Sequence, residues 1–194
     1  MNESGLDDLR LARQARQDPS AARAILDRLM PRIRHAVFML VGGDQEAEDL
    51  THVCLLEILE NLGGFRGTGP LEAWAGQLTF RVVMRHMKRR RRGERTVALV
   101  PEETGVSPSN PERDAERGNT RERLAQHMKK LPIERRTTLV LRLVLEHSVA
   151  EVAELTGVPV NTARDRIRVG LRELRQSMAH DPAFKGMLSE GRDE

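Results

Sequence analysis

The stretch that most limits what this chain can fold into runs from Ser148 to Arg175, SVAEVAELTGVPVNTARDRIRVGLRELR. Ser148-Val149-Ala150-Glu151 has the form of a capping box: a hydroxyl caps the helix start, and a carboxylate three residues on returns the bond. The short helix that follows carries apolar Val152, Ala153 and Leu155 and stops at Gly157. Only Val158 and Pro159 separate that stop from the next helical pattern, which makes the pair a helix-turn-helix unit. At ~100° per residue, Ala163, Ile167, Gly170, Leu171, Leu174 and Met178 share one apolar stripe of the second helix. Asn161, Asp165, Arg168 and Arg172 lie opposite, with Arg164 and Arg175 on one flank and Arg166 on the other.

Elsewhere apolar residues also recur at helical spacing and strand signals are scarce, so an all-α fold is expected. Short helices are predicted over Leu6–Ala15, Ala21–Leu29 and on to Val41, broken at Asp18-Pro19, bent at Pro31 and closed by Gly42-Gly43. A stronger one spans Gln45–Leu62 and stops at Gly63-Gly64. FRGTGP reads as a loop, and Pro70 opens a helix that runs through Trp74 to the basic cluster Lys88–Arg92. Periodicity vanishes between Gly93 and Thr120, then returns in RERLAQHMKKL and PIERRTTLVLRLVLE. The expectation is two small helical domains, 1–92 and 121–178, joined by a flexible linker, 93–120. A frayed tail, 179–194, follows, in which Phe184, Met187 and Leu188 are the residues able to dock.

Aromatic content of 3% makes the cores aliphatic, and the net charge of +3 matters only because the positive residues are clustered. A single cysteine, Cys54, excludes a disulfide framework and a multi-cysteine metal site and fits a reducing compartment. No apolar run approaches the ~20 residues of a membrane span, and MNESGLDDLRLARQ has no signal-peptide core, so a cytoplasmic location is expected. His35, His52, His86, His127, His147 and His180 lack ligand spacing, no Gly-rich phosphate loop follows a strand, and no Ser or Cys has a base partner in pattern. Neither an enzyme nor a cofactor- or metal-binding protein is expected. The helix-turn-helix points instead to DNA, because its second helix is of a size to enter the major groove. A solvated arginine-rich helix in a non-binding bundle has the same pattern, and both readings stand at this point.

LPIERRTTLVLRLVLEHSVAEVAELTGVPVNTARDRIRVGLRELR resembles region 4 of the extracytoplasmic-function sigma factors of bacterial RNA polymerase. The earlier block, with DDLRLARQARQDPSAARAILDRL, DQEAEDLTHVCLLEILENL, FRGTGPLEAWAGQL and RHMKRRRR, resembles their region 2. The likeness covers nearly the whole chain up to about Met178. It implies a protein that binds core polymerase, directs it to promoters and starts transcription, as a monomer within the holoenzyme, with neither small-molecule substrate nor membrane insertion. The implied partners are the polymerase core, through its β′ coiled coil and β flap, promoter DNA, and the anti-sigma protein that holds many relatives inactive.

The resemblance also distributes roles. The segment Asp49–Leu62 docks on the β′ coiled coil in the family, which implicates Asp49, His52, Val53, Leu56, Glu57 and Glu60; Val53 stands where relatives often carry an acid. Because that helix is apolar almost all round, it reads equally as the centre of its block. The loop Phe65–Leu71 and the helix after it correspond to the part that opens the −10 element, implicating Phe65, Arg66, Arg81, Arg85, His86, Lys88, Arg89 and Arg90. Trp74 is placed to stack on a base, although its aliphatic setting favours a core role. Thr79-Phe80-Arg81 replaces a common Ala-Arg-Asn triplet, so −10 reading is expected to be altered. The acidic linker imitates nascent RNA in the polymerase channel or acts as a solvated tether. Region 4 would read the −35 element through Asn161, Thr162, Arg164, Asp165, Arg168 and Arg172, with Arg166 on the backbone. Asp165, where relatives often have a small polar residue, accepts from a cytosine amino group, orients Arg168, or only tempers affinity. The alternative is a helix-turn-helix regulator or a degenerate sigma-like protein that no longer supports initiation.

Overall fold

Residues 3–42, 45–93 and 111–184 are described by a computed structural model, and among them every regular element is helical. The first block contains α1 (Glu3–Gln14), α2 (Pro19–Val41), α3 (Gln45–Asn61) and α4 (Leu71–Arg91). Asp18 caps α2, its carboxylate accepting the Ser20 N–H at 2.8 Å, and Pro19 follows where a missing donor costs nothing. α2 runs as one continuous helix through Pro31. Pro31 is exposed, so its lost backbone bond is on the solvent side, while Ile25, Leu29, Ile33, Val37 and Leu40 bury the opposite stripe. The helix ends at Gly42, whose φ of 97° is open to glycine at little cost; the Lys129 stem crosses it so closely that any Cβ would collide.

α3 buries Ala47, Leu50, Cys54, Leu55 and Ile58 in the middle of the block, and a single 3₁₀ turn (Leu62–Gly64) ends it. The start of α4 is held in an unusual way. Pro70 offers no side-chain cap. Asp8, from α1, supplies one instead, its Oδ2 accepting the Leu71 N–H at 2.9 Å while Oδ1 accepts from Arg28 at 2.7 Å. Arg28 also reaches Glu72 at 2.6 Å, so one buried carboxylate ties α1, α2 and α4 together where the 65–70 loop joins them.

The second block comprises α5 (Pro111–Lys130), α6 (Ile133–Leu139) continuing as a π-turn (Val140–Val144), α7 (Val149–Thr156) and α8 (Val160–Met178). Residues 111–120, expected in the linker, form the first turns of α5. Linker residues 94–110, with the acids Glu94, Glu102 and Glu103, lie outside the described residues. The capping box of α7 is present: Ser148 Oγ accepts the Glu151 N–H at 3.2 Å and the Ser148 N–H reaches Glu151 at 2.7 Å. Gly157 then turns the chain at φ 67°. Gly170 lets α8 close on α6, since a Cβ there would lie 3.2 Å from Leu139 Cδ1. Gly170→Val is expected to cost about 1–2 kcal/mol through overpacking, read as a lower urea midpoint with an unchanged slope.

The tail is anchored further than its composition suggests. Asp181 accepts from Arg123 at 2.7 Å and pairs with His127 Nε2 at 2.9 Å, partners that hold its carboxyl well below the usual range. Phe184 is buried edge-on to the His127 ring; Met187 and Leu188 lie outside the described residues. The two blocks touch where α2 meets α5 and the π-turn. Arg32 pairs with Glu146 at 3.1 Å, and the Arg121 guanidinium lies 5.4 Å from the centre of the Phe38 ring. His147 is buried beside Gly76, neither ring nitrogen has a hydrogen-bond partner among the described residues, and burial pushes the ring below the usual imidazole range.

Candidate nucleic-acid and polymerase interfaces

α8 divides as its sequence predicts. Ala163 and Gly170 are buried, Ile167, Leu171 and Leu174 pack on the core, and Asn161, Arg164, Asp165, Arg168 and Arg172 are exposed. Thr162 and Arg166 are half-buried at the edge of that face. Two contacts order it: Arg164 donates to the Asn161 side-chain oxygen at 2.8 Å, and Arg168 donates to Asp165 at 3.2 Å. Of the three accounts of Asp165, the pairing with Arg168 is therefore present in the free chain. Both partners are about two-thirds exposed, so the pair adds little stability.

On α4 the cations differ in availability. Arg85 pairs with Glu57 at 3.0 Å, and His86 pairs with Glu46 at 2.7 Å, an acid that also takes Arg90. Arg66, Arg81, Lys88 and Arg89 are exposed and have no carboxylate partner among the described residues. Phe65 is buried beneath its loop, its ring 5.5 Å from that of Trp74 and tilted by 55°, so it shapes the loop and presents no open face to a base. Trp74 packs against the core, half-buried. In the departing triplet, Thr79 bonds the Ala75 carbonyl at 2.9 Å, Phe80 is buried, and only Arg81 reaches the surface.

Along α3 the exposed residues Asp49, Leu56 and Glu60 form one stripe, flanked by half-buried His52 and Val53. Leu56, 44% exposed, is the apolar member of that stripe. Glu57 borders the stripe but is engaged by Arg85. Cys54 faces the other way, fully buried, and burial pushes its thiol up to about 12, which removes it as a nucleophile.

Sequence reasoning missed a cleft of about 660 Å³ between the blocks, floored by Phe80, Met84, Met87 and Leu155 and rimmed by Arg81 and Arg166. Its two walls, within 80–91 and 133–166, come from different blocks, so no local pattern signals it. Among the described residues no helix is long and apolar enough to cross a membrane, and no group of His, Cys, Asp and Glu is arranged to hold a metal.

Two family models match separate stretches of the chain. Residues 25–93 match the model for sigma-70 region 2 and residues 121–174 the model for sigma-70, region 4. The ECF RNA polymerase sigma factor SigW of Bacillus subtilis is 23% identical, covering 87% of this chain and 95% of its own length. The RNA polymerase sigma-H factor of Pseudomonas aeruginosa is 24% identical over 95% of this chain and 96% of its own. Among solved structures, CnrH in complex with the cytosolic domain of CnrY is similar with a TM-score of 0.61 and 19% identity, over 90% of this chain and 98% of that one. The sigma factor RpoE in complex with the anti-sigma factor NepR, from Bartonella quintana, has a TM-score of 0.60 and 18% identity, over 82% and 97%. Two regions of one family, matched in order on the two helical blocks that the structure describes, decide the matter: this chain belongs to the extracytoplasmic-function sigma factors of the sigma-70 family.

Proposed function

We propose that this sigma factor reads the −35 element with the exposed face of α8, holds the opened −10 strand with α4 and the 65–70 loop, and docks on the β′ coiled coil through the α3 stripe. The observation that carries the reading is the ordered polar face of α8, with Asn161 and Asp165 each holding an arginine one turn on, mounted on a capped helix-turn-helix. Arg81, Lys88 and Arg89 supply phosphate contacts on the first block. Arg81 brings charge but not the paired donor and acceptor of an asparagine, so −10 discrimination is weaker than in relatives that carry one. The cleft between the blocks, with an apolar floor and a rim on which Arg81, Lys88, Arg91 and Arg166 outnumber the one acid, Glu134, suits an acidic amphipathic segment of an anti-sigma partner; the similar RpoE was solved with an anti-sigma factor.

Transcription in vitro with core polymerase tests the reading. Promoter-dependent transcripts are expected from a genomic library of templates. A protein that shifts DNA alone but yields no transcript with core on any template is a helix-turn-helix regulator or a degenerate sigma factor. For the polymerase surface, Leu56→Ala is expected to cost about 1–2 kcal/mol of core affinity, as an anchor at an interface centre does. Competition against a labelled sigma factor reads the loss directly, and full affinity in the variant moves the docking surface off α3.

A further inference from the structure

We infer that a pocket between α1 and the 62–66 turn holds one phosphodiester of the opened promoter strand, gripped by Arg13, Arg16 and Arg66. The inference rests on the reading of the 65–70 loop as part of the −10 surface and adds to it a helix with no role assigned so far. The pocket has a volume of about 320 Å³, near the lower bound of ligand sites, which suits a single nucleotide unit. Leu9, Leu62 and Phe65 floor it, the last two buried, so its base is apolar and its rim is made of arginine. The Arg16 guanidinium lies over Gly63, where a Cβ would come within 3.6 Å of its central carbon, and Gly64 beside it faces open space. Bare backbone there leaves room for a sugar-phosphate to approach.

Arg10, on the same helix, pairs with Asp7, and Arg28 is shared by Asp8 and Glu72. Arg13, Arg16 and Arg66 line one cavity and have no carboxylate partner among the described residues. Three exposed arginines line this one small space, so an anion seated there would be attracted by all three. Their planar forks match phosphate oxygens in pairs. Arg66 belongs both to this pocket and to the loop that leads into α4, so a strand held by the loop brings its own backbone to the pocket.

The test uses the full chain with core polymerase and a single-stranded oligonucleotide of the non-template −10 sequence, its phosphates replaced one at a time by neutral methylphosphonates. The Arg13→Gln/Arg16→Gln variant, at exposed positions on α1 and in the turn that follows it, is expected to bind the unmodified strand about tenfold more weakly, the size of a lost charged hydrogen bond. Its base preference should be unchanged and its salt slope smaller by about 0.7 per phosphate released. At one linkage the methylphosphonate should weaken the wild type by a similar factor and leave the variant unaffected. Wild-type affinity in the variant, or equal losses in both proteins at every linkage, overturns the inference. Saturation of the wild type but not the variant by a free nucleoside diphosphate, with strand binding unchanged by the substitutions, identifies a free nucleotide as the occupant and also overturns it. A holoenzyme that transcribes yet fails the methylphosphonate test defeats this inference alone; one that neither transcribes nor binds the strand defeats the parent reading with it.

Discussion

Replacing Asp8 with alanine is expected to lower the stability of the first block by about 2–4 kcal/mol. Asp8 is only 3% exposed, and its two oxygens serve the Leu71 N–H and Arg28. Pro70, directly before α4, provides no side-chain cap, so alanine leaves the Leu71 donor buried without a partner. The cost stays below that of a fully buried ion pair because the Arg28 side chain is 38% exposed and keeps Glu72. Asp8→Asn retains an acceptor for the cap and should recover at least half of the loss. Urea unfolding of the three proteins is the measurement. An alanine variant within 0.5 kcal/mol of the wild type, roughly the effect of an ordinary surface change, would mean that the α4 start is not held by this carboxylate.

The second large effect is on sequence choice. Asp165→Ser is expected to change the preferred base at one −35 position by about 1–3 kcal/mol, the range for a single bidentate base contact. Asp165 holds Arg168 at 3.2 Å, one turn along the exposed face of α8. With serine the guanidinium is released and the carboxylate leaves the phosphates, so general affinity rises while discrimination falls. Selection of bound sequences from a randomised −35 region, with core polymerase present, separates the two effects. Uniform tightening over all sequences would reduce Asp165 to a simple moderator of charge.

What was readable in the sequence was local. The α7 capping box, the Gly157 stop and the apolar stripe of α8 each depend on residues within a few positions, and each is found where its pattern puts it. The start of α5 also had a local signal, since Pro111 followed by Glu112 suits a first helical turn, but the polar composition around it obscured the helix. Pro31 does not end α2, because a proline is tolerated inside a helix where its missing bond faces solvent, and that placement depends on the tertiary fold. The contacts that tune the site are different in kind. Asp8 reaches across 63 positions to Leu71, and Glu46 reaches across 40 and 44 to His86 and Arg90. No periodicity encodes such pairings, so the division of the α4 cations into held and available ones emerges only once α3 and α4 are placed side by side.

Trp74 and Phe65, packed together under the 65–70 loop, also determine how the molecule can be observed. The chain has one tryptophan and no tyrosine, so essentially all of its near-ultraviolet fluorescence comes from the first block. The second block, helical but without either chromophore, is silent in that signal and visible in far-ultraviolet dichroism. Following both signals through one denaturant titration therefore reads the coupling between the blocks without any label. Coincident transitions mean that the Arg32–Glu146 and Phe38–Arg121 contacts bind the blocks into one cooperative unit, and separated transitions mean that each half of the sigma factor melts on its own.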